Sequence, residues 1–185
     1  MSRFKTNVEL AGWALPTLTL HVVLHEHSHA LAAKLVGAEH VQIRWMPGKG
    51  VLGVTGWKKR GRTDADVVKV AAAPVLTNLV VLGAFGVLDQ LGAPSNEHAR
   101  VPLLAMAGWA WSDLASLLLP FAGNDVEKAY RYLPLAGWQR LGLRALHLGV
   151  VVAGYYVLRR GYDRIADEQP PEPSRKFVAP LTFRF

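Results

Sequence analysis

The sequence contains no cysteine, which excludes disulfide bonds, a thiol nucleophile and every thiolate metal site. Any transition metal must therefore be held by histidine and carboxylate side chains. Charged residues are also scarce, at 19% of the 185 residues, whereas 51% are hydrophobic. A chain of this length is expected to form one domain, and its composition lies between that of a soluble domain and that of a protein almost wholly embedded in a membrane.

Acidic residues are fewer than basic ones, so the net charge is +7 and the isoelectric point is about 9.9. The basic residues cluster beside apolar segments, as in GWKKRGR (56–62) and LRRGYDR (158–164). Such clusters are typical of membrane edges that face anionic headgroups. We therefore expect the chain to contact a lipid bilayer and do not expect it to bind nucleic acid.

Four apolar segments approach or exceed the roughly 18 residues that predict a membrane span. They cover residues 8–36, 70–88, 101–123 and 141–158. No A-x-A-like cleavage site precedes the histidines of the first segment, so we expect that segment to be retained. The pattern predicts an all-α, polytopic integral membrane protein of the cell membrane with about four transmembrane helices. A soluble all-helical protein is the alternative.

A short polar stretch separates the first two apolar segments. In it, HVQIRW and VLGVTGW flank MPGKG, which predicts a β-hairpin over about 40–57. Its backbone must be paired or hydrated, so we expect it at the membrane interface or packed on the protein. From Asp167 onward, DEQPPEPSRK is rich in proline and charge, which predicts a mobile tail over 167–185 and a membrane-embedded core over 1–166.

Residues 25–29, HEHSH, match the pattern H-E-x-x-H within the first apolar segment. On a helix, His25 and His29 lie one above the other and can hold one metal ion. Glu26 lies about 100° further around the helix, from where it can reach a water on that ion without being a ligand. Ionisable residues in an apolar helix are functional candidates by default. The motif therefore predicts Zn²⁺ bound by His25 and His29, with Glu26 as the base for hydrolysis.

The two remaining histidines of this segment have different expected roles. His27 lies about 200° from both His25 and His29 around the helix, so we expect it to point away from the metal as an unrelated polar contact. His21 shares a face with His25, but Val22 follows it where a glutamate would be required. We interpret His21 as a residue that supports the ligands or lines a pore.

A third metal ligand must come from elsewhere, and Asp113 and Asp125 are the acidic residues in or near the third apolar segment. If the first and third spans run in the same direction, their C-terminal ends meet, and Asp125 can join the histidine pair. Asp113 lies twelve residues earlier, about 18 Å along a continuous helix. We therefore predict Asp125 as the third ligand and keep Asp113 as the alternative. A capping role for Asp125 at the start of DVEKAYRYL is the competing explanation.

Three stretches of the chain resemble the site-2 protease family of intramembrane zinc metalloproteases. They are HEHSHALAAKLVGA (25–38), AAAPVLTNLVV (71–81) and LLLPFAGND (117–125). The second stretch is similar to the family's small-Pro-x-x-Asn element, although Asn78 follows Pro74 by four residues instead of three. The resemblance covers about residues 10–132.

This resemblance implies that His25, His29 and Asp125 bind zinc and that Glu26 activates water. It further implies a metalloprotease core that hydrolyses peptide bonds of membrane proteins or membrane-associated peptides close to the cytoplasmic face. A substrate helix would have to unwind and could pair with the hairpin as an added strand.

Three other functions are weighed against this one. The first is a non-catalytic membrane protein of the same fold that binds metal or partner helices. The second is a His-rich diiron membrane oxidase, because HVVLH (21–25) also fits an H-x-x-x-H box, although that chemistry requires more clustered histidines than this chain has. The third is a metal transporter, for which the glutamate beside the first histidine is less well suited.

Overall fold

The structure, a computed structural model, describes residues 2–48, 51–119 and 125–167. Within these ranges the elements follow in the order α1 (Arg3–Leu35), β1 (His40–Gly48), β2 (Val51–Lys58), α2 (Asp64–Gln90), α3 (Glu97–Ser116), α4 (Asp125–Tyr132) and α5 (Gly137–Asp167). The predicted combination of a mainly helical chain with a small hairpin after the first long helix is confirmed. The predicted mobile tail lies outside the described residues from 168 onward.

Within the described part of the chain, α2 and α5 are the two helices long and apolar enough to cross a membrane by length and composition. The expectation of four such spans is therefore met by the second and fourth segments only. The first falls short because the histidine cluster and Glu26 interrupt the apolar sequence of α1. The third falls short because Arg100 and Asp113 lie within α3, which ends at Ser116.

The helices α1 and α3 run in the same direction. Near their N-terminal ends, Glu9 of α1 pairs with His98 of α3, with 2.9 Å between Oε1 and Nδ1. Near their C-terminal ends, Nδ1 of His25 lies 3.1 Å from Oδ2 of Asp113. The C-terminal parts of both helices therefore meet at one end of the bundle. This parallel arrangement is the one that the prediction of Asp125 as the third ligand assumed.

A glycine turn ends α1 and directs the chain into the hairpin. Gly37 has φ 82°, a left-handed conformation that costs glycine little because it has no Cβ. The amide of Gly37 donates to the carbonyl of Lys34 at 2.9 Å, and that of Ala38 donates to Ala33 at 2.9 Å, so the last carbonyls of the helix are satisfied. The chain then turns back, and β2 reaches Glu26 on α1.

The hairpin predicted over 40–57 is confirmed. The two strands pair antiparallel from His40 opposite Lys58 to Trp45 opposite Gly53, after which a bulge precedes Gly48. Alternate residues of a strand point to opposite faces. Gly53 therefore shares with Thr55 the face of β2 that packs on α1.

The helices α2, α3 and α5 share one apolar core. It consists of Leu82, Phe85, Val101, Leu104, Ala107, Leu114, Val151 and Ile165. Helix α5 approaches closely because Gly154 lacks a side chain: a Cβ there would lie 2.8 Å from Cδ1 of Trp111. The indole of Trp111 is fixed in turn, since its Nε1 donates to the carbonyl of Val151 at 2.8 Å.

We expect Gly154→Ala to lower the free energy of unfolding by about 1–3 kcal/mol, because the new methyl overpacks against the fixed indole of Trp111. Gly149→Ala is the matched control on the same helix, where a Cβ meets no heavy atom within 4 Å. It should be neutral or stabilise by up to about 1 kcal/mol through helix propensity. Thermal unfolding in detergent measures both, and equal shifts for the two variants would contradict the packing assignment.

Candidate metal centre

The two histidines of the H-E-x-x-H pattern lie one above the other on α1, with 5.1 Å between the ring centroids of His25 and His29. Asp125, the first residue of α4, meets both rings. Its Oδ2 is 3.3 Å from Nε2 of His25 and 3.1 Å from Nε2 of His29. The three residues predicted as metal ligands are therefore brought together, in a group whose ligand atoms all lie within 4.8 Å of one another.

The second ring nitrogen of each histidine has its own oxygen partner. Nδ1 of His29 lies 2.7 Å from the carbonyl oxygen of Val70 on α2. Nδ1 of His25 lies 3.1 Å from Oδ2 of Asp113 on α3. A carbonyl oxygen and an ionised carboxylate can only accept hydrogen bonds, so the hydrogen of each neutral ring is assigned to Nδ1 and the lone pair to Nε2.

In these tautomers, three atoms with lone pairs face one another without a hydrogen between them: Nε2 of His25, Nε2 of His29 and Oδ2 of Asp125. Such a group requires a positive charge, either an added proton or a metal ion. Two imidazole nitrogens and one carboxylate oxygen are a donor set that suits Zn²⁺, and three protein ligands leave a fourth position for water or substrate. The chemistry of the site therefore fits the predicted zinc ion.

Asp125 is held in the form that a metal ligand needs. When the rings carry the added proton in place of a metal ion, their hydrogen bonds and positive charge outweigh burial and hold the pKa of the Asp125 carboxyl well below its usual range. A carboxylate in the first turn of α4 is also favoured by the helix dipole. The helix-start role and the metal-ligand role of Asp125 are thus compatible.

Asp113 also reaches the histidines, although a continuous helix would have placed it about 18 Å from Asp125. The assumption of a continuous helix was wrong, because α3 ends at Ser116 and a separate helix begins at Asp125. Oδ2 of Asp113 also accepts a hydrogen bond from Nδ2 of Asn78 at 2.6 Å and lies 3.8 Å from Nε2 of His21. A second group of possible metal ligands consists of His21, His25 and Asp113.

The other histidines separate as follows. His27 is exposed, its Nδ1 lies 2.8 Å from the carbonyl oxygen of Val23, and its ring stacks on Trp45, which confirms that it points away from the site. His21 is buried on the face that it shares with His25, with 6.3 Å between the ring centroids. The described histidines that belong to neither group are His27, His40, His98 and His147.

Glu26 is buried, with 6% of its surface exposed, and β2 holds it in place. Thr55 donates to it, with Oγ1 lying 2.7 Å from Oε2 and 2.9 Å from the backbone carbonyl oxygen of Glu26. Gly53 makes room, since a Cβ there would lie 2.6 Å from Cγ of Glu26. The sequence reading missed both residues; a glycine inside a predicted strand was the available signal, because it marks the close approach of another group.

The chain matches no protein-family model, no curated protein and no solved structure. The resemblance to site-2 proteases therefore has only the sequence motifs and the geometry of the site to support it. Within the described residues, the structure shows two His/Asp groups that could hold a metal ion.

Proposed function

We propose that the chain is an intramembrane zinc metallopeptidase of the site-2 protease type, which hydrolyses peptide bonds of membrane proteins or membrane-associated peptides. One observation carries the proposal: Nε2 of His25 and Nε2 of His29 both lie within 3.3 Å of Oδ2 of Asp125, and the Nδ1 hydrogens of both rings are assigned to other partners. A buried carboxylate, Glu26, directly follows the first of these histidines.

When bound, a zinc ion supplies a Lewis acid that polarises a carbonyl group and lowers the pKa of water. Glu26 accepts the proton of the attacking water as the new carbon–oxygen bond forms, and returns it to the amine as the carbon–nitrogen bond breaks. Thr55 fixes Oε2 of Glu26, so we assign the proton to Oε1. The burial of Glu26 by β2 keeps this carboxylate in one orientation.

The outer surface of the bundle favours a lipid environment. Most of the apolar stretch of α5 is exposed, since only 11% of it is buried inside the chain, whereas a helix of a soluble domain buries one face. The large exposed apolar side chains of α5 include Leu141, Leu146, Leu148, Val152, Tyr155 and Tyr156. Lipid is the solvent that such a surface requires, so we propose that α2 and α5 cross the membrane.

We further propose that α1 and α3 cross with them, which gives four spans. Both pack against α2, and α3 also packs against α5. The partly buried side chains of His25 and Asp113 are turned towards each other, and inward pairing is the arrangement by which such groups are tolerated within a membrane. The basic residues at the base of the hairpin, Lys58 to Arg60, would then meet anionic headgroups.

The hairpin is placed to receive an extended substrate. Within the described residues each strand pairs only with the other, so each has an edge that can take a further strand. A substrate segment added there would have its backbone hydrogen bonds satisfied after it unwinds. Since β2 also holds Glu26, the same hairpin would present the peptide bond and the base together.

Metal analysis and metal removal test the proposal. We expect the detergent-purified protein to contain about one zinc ion per chain, which a chelator removes. Incubation with extracted membrane proteins should generate new peptide N-termini, detected by mass spectrometry. The chelator should abolish them and added Zn²⁺ should restore them. About two iron ions per chain would favour the diiron oxidase, and bound zinc without any new termini would favour a non-catalytic protein of the same fold.

A further inference from the structure

We propose that Pro74 and Asn78 of α2 position the two zinc-binding histidines: Pro74 leaves the carbonyl of Val70 free for His29, and Asn78 anchors Asp113 against His25. This inference rests on the proposed metal group formed by the histidines and Asp125, and it makes Asp113 a positioning residue instead of a ligand.

The first contact depends on a hydrogen bond that α2 cannot form. In an α-helix the carbonyl of residue 70 accepts from the amide of residue 74, but Pro74 has no N–H. The carbonyl oxygen of Val70 is therefore without its usual helical donor, and Nδ1 of His29 takes that place at 2.7 Å. The proline is fully buried, so its position beside the site is fixed by packing.

The second contact begins one turn further along α2. Asn78 is 2% exposed, and its Nδ2 donates to Oδ2 of Asp113 at 2.6 Å. The same oxygen accepts from Nδ1 of His25 at 3.1 Å. Two donors on one carboxylate oxygen fix the carboxylate, and the carboxylate fixes the tautomer and the plane of the imidazole, as the outer partners of zinc-binding histidines do.

The alternative, a metal held by His21, His25 and Asp113, is less consistent with these contacts. It would need the lone pair of His25 on Nδ1, where the carboxylate of Asp113 favours a hydrogen. The oxygen of Asp113 that faces the ring already receives the amide of Asn78. Nε2 of His21 lies 3.8 Å from that oxygen, which is beyond hydrogen-bonding distance.

Zinc affinity, measured by competition with a chromophoric chelator, tests the role of Pro74. Pro74→Ala restores an amide that competes for the carbonyl of Val70, so we expect zinc affinity to fall roughly tenfold. The unfolding temperature of the metal-free protein should stay the same or rise, because alanine is the better helix residue. If Pro74 had only a structural role, Pro74→Ala would lower the unfolding temperature and leave zinc affinity unchanged. Pro74→Val restores the amide with less loss of volume, and Pro102→Ala in α3 is the control.

The role of the Asn78–Asp113 pair is tested with Co²⁺ in place of zinc. Asp113→Asn and Asn78→Leu should weaken metal affinity by roughly 10- to 100-fold and keep the tetrahedral d–d bands, because the ligands are unchanged. Asp125→Asn should alter the bands themselves. If Asp113→Asn alters them, or if His21→Ala releases the metal, the metal lies on the second group and the proposal is overturned.

Unchanged affinity in both Pro74 variants and in Asp113→Asn would also overturn this inference. Since the readout is metal affinity, it is separable from the proposed function. If the variants lose affinity as expected but the wild type generates no new peptide termini, Pro74 and Asn78 position the metal-binding histidines of a protein that is not a peptidase. If the wild type cleaves and all of these variants keep its metal affinity, the protein is a peptidase in which Pro74 and Asn78 do not position the histidines.

Discussion

His25→Ala is expected to abolish zinc binding and to lower the thermal stability of the metal-free protein, whereas His27→Ala is expected to change neither. The two residues belong to the same HEHSH motif and differ in where they point. His25 lies between two carboxylates, while His27 is exposed and contacts its own helix and Trp45.

The imidazole of His25 acts on both sides of the site. Its Nε2 is one of the three proposed ligand atoms, and its Nδ1 bonds to Asp113. Alanine removes one ligand outright, so the loss of affinity should exceed the roughly 10- to 100-fold typical of an outer partner. It also leaves the partly buried carboxylates of Asp113 and Asp125 without the ring between them, and an unsatisfied group of this kind costs about 1–3 kcal/mol.

Zinc per chain after gel filtration, together with the unfolding temperature of the metal-free protein, measures both effects. His27→Ala is the matched control, because it makes the same histidine-to-alanine change on the same helix but away from the site. A normal zinc content in His25→Ala would refute the metal site as assigned. An equal loss in His27→Ala would mean that zinc adheres to the histidine-rich segment without a built site.

The features that the sequence predicted correctly are those with a local cause. The hairpin follows from strand-forming residues on both sides of MPGKG, and the i, i+4 spacing of His25 and His29 places their side chains next to each other on any helix. His27 points away for the same geometrical reason. The length of an apolar run predicted membrane spans less well. The polar and charged residues within α1 and α3 make these two helices less apolar than a membrane span, and only α2 and α5 among the described helices are long and apolar enough.

The features that the sequence could not predict depend on where the chain turns and on contacts between distant segments. Asp113 and Asp125 meet the same imidazole because α3 ends at Ser116. Pro120 and Gly123 signal a helix break before Asp125, but they do not tell that the chain brings Asp125 back to His25. The partner of His29 is the backbone carbonyl of Val70, and a contact to a backbone group cannot be predicted from the type of residue that carries it. The hold of β2 on Glu26 is likewise a tertiary contact, although a strand glycine indicates a close approach.

Glu26→Gln is expected to reduce the formation of new peptide termini by roughly 10²- to 10⁴-fold, the range that general-base catalysis supplies, and to leave zinc content unchanged. Glu26 belongs to neither group of possible ligands in the described chain, so its charge is not needed to hold the metal. Glutamine has nearly the same shape and keeps an oxygen that can accept from Thr55. The variant therefore removes the proton acceptor and preserves the packing under β2.

Glu39→Gln is the matched control for this experiment, because it neutralises an exposed carboxylate at the start of the hairpin. It should leave both zinc content and cleavage at the wild-type level. Wild-type cleavage in Glu26→Gln would refute the base assignment, and loss of zinc in that variant would make Glu26 a ligand. If the wild type binds zinc and yet neither it nor Glu26→Gln generates new peptide termini, the metal centre serves a binding function. The hydrogen bond from Thr55 to Glu26 then stabilises the hairpin on α1 instead of orienting a base.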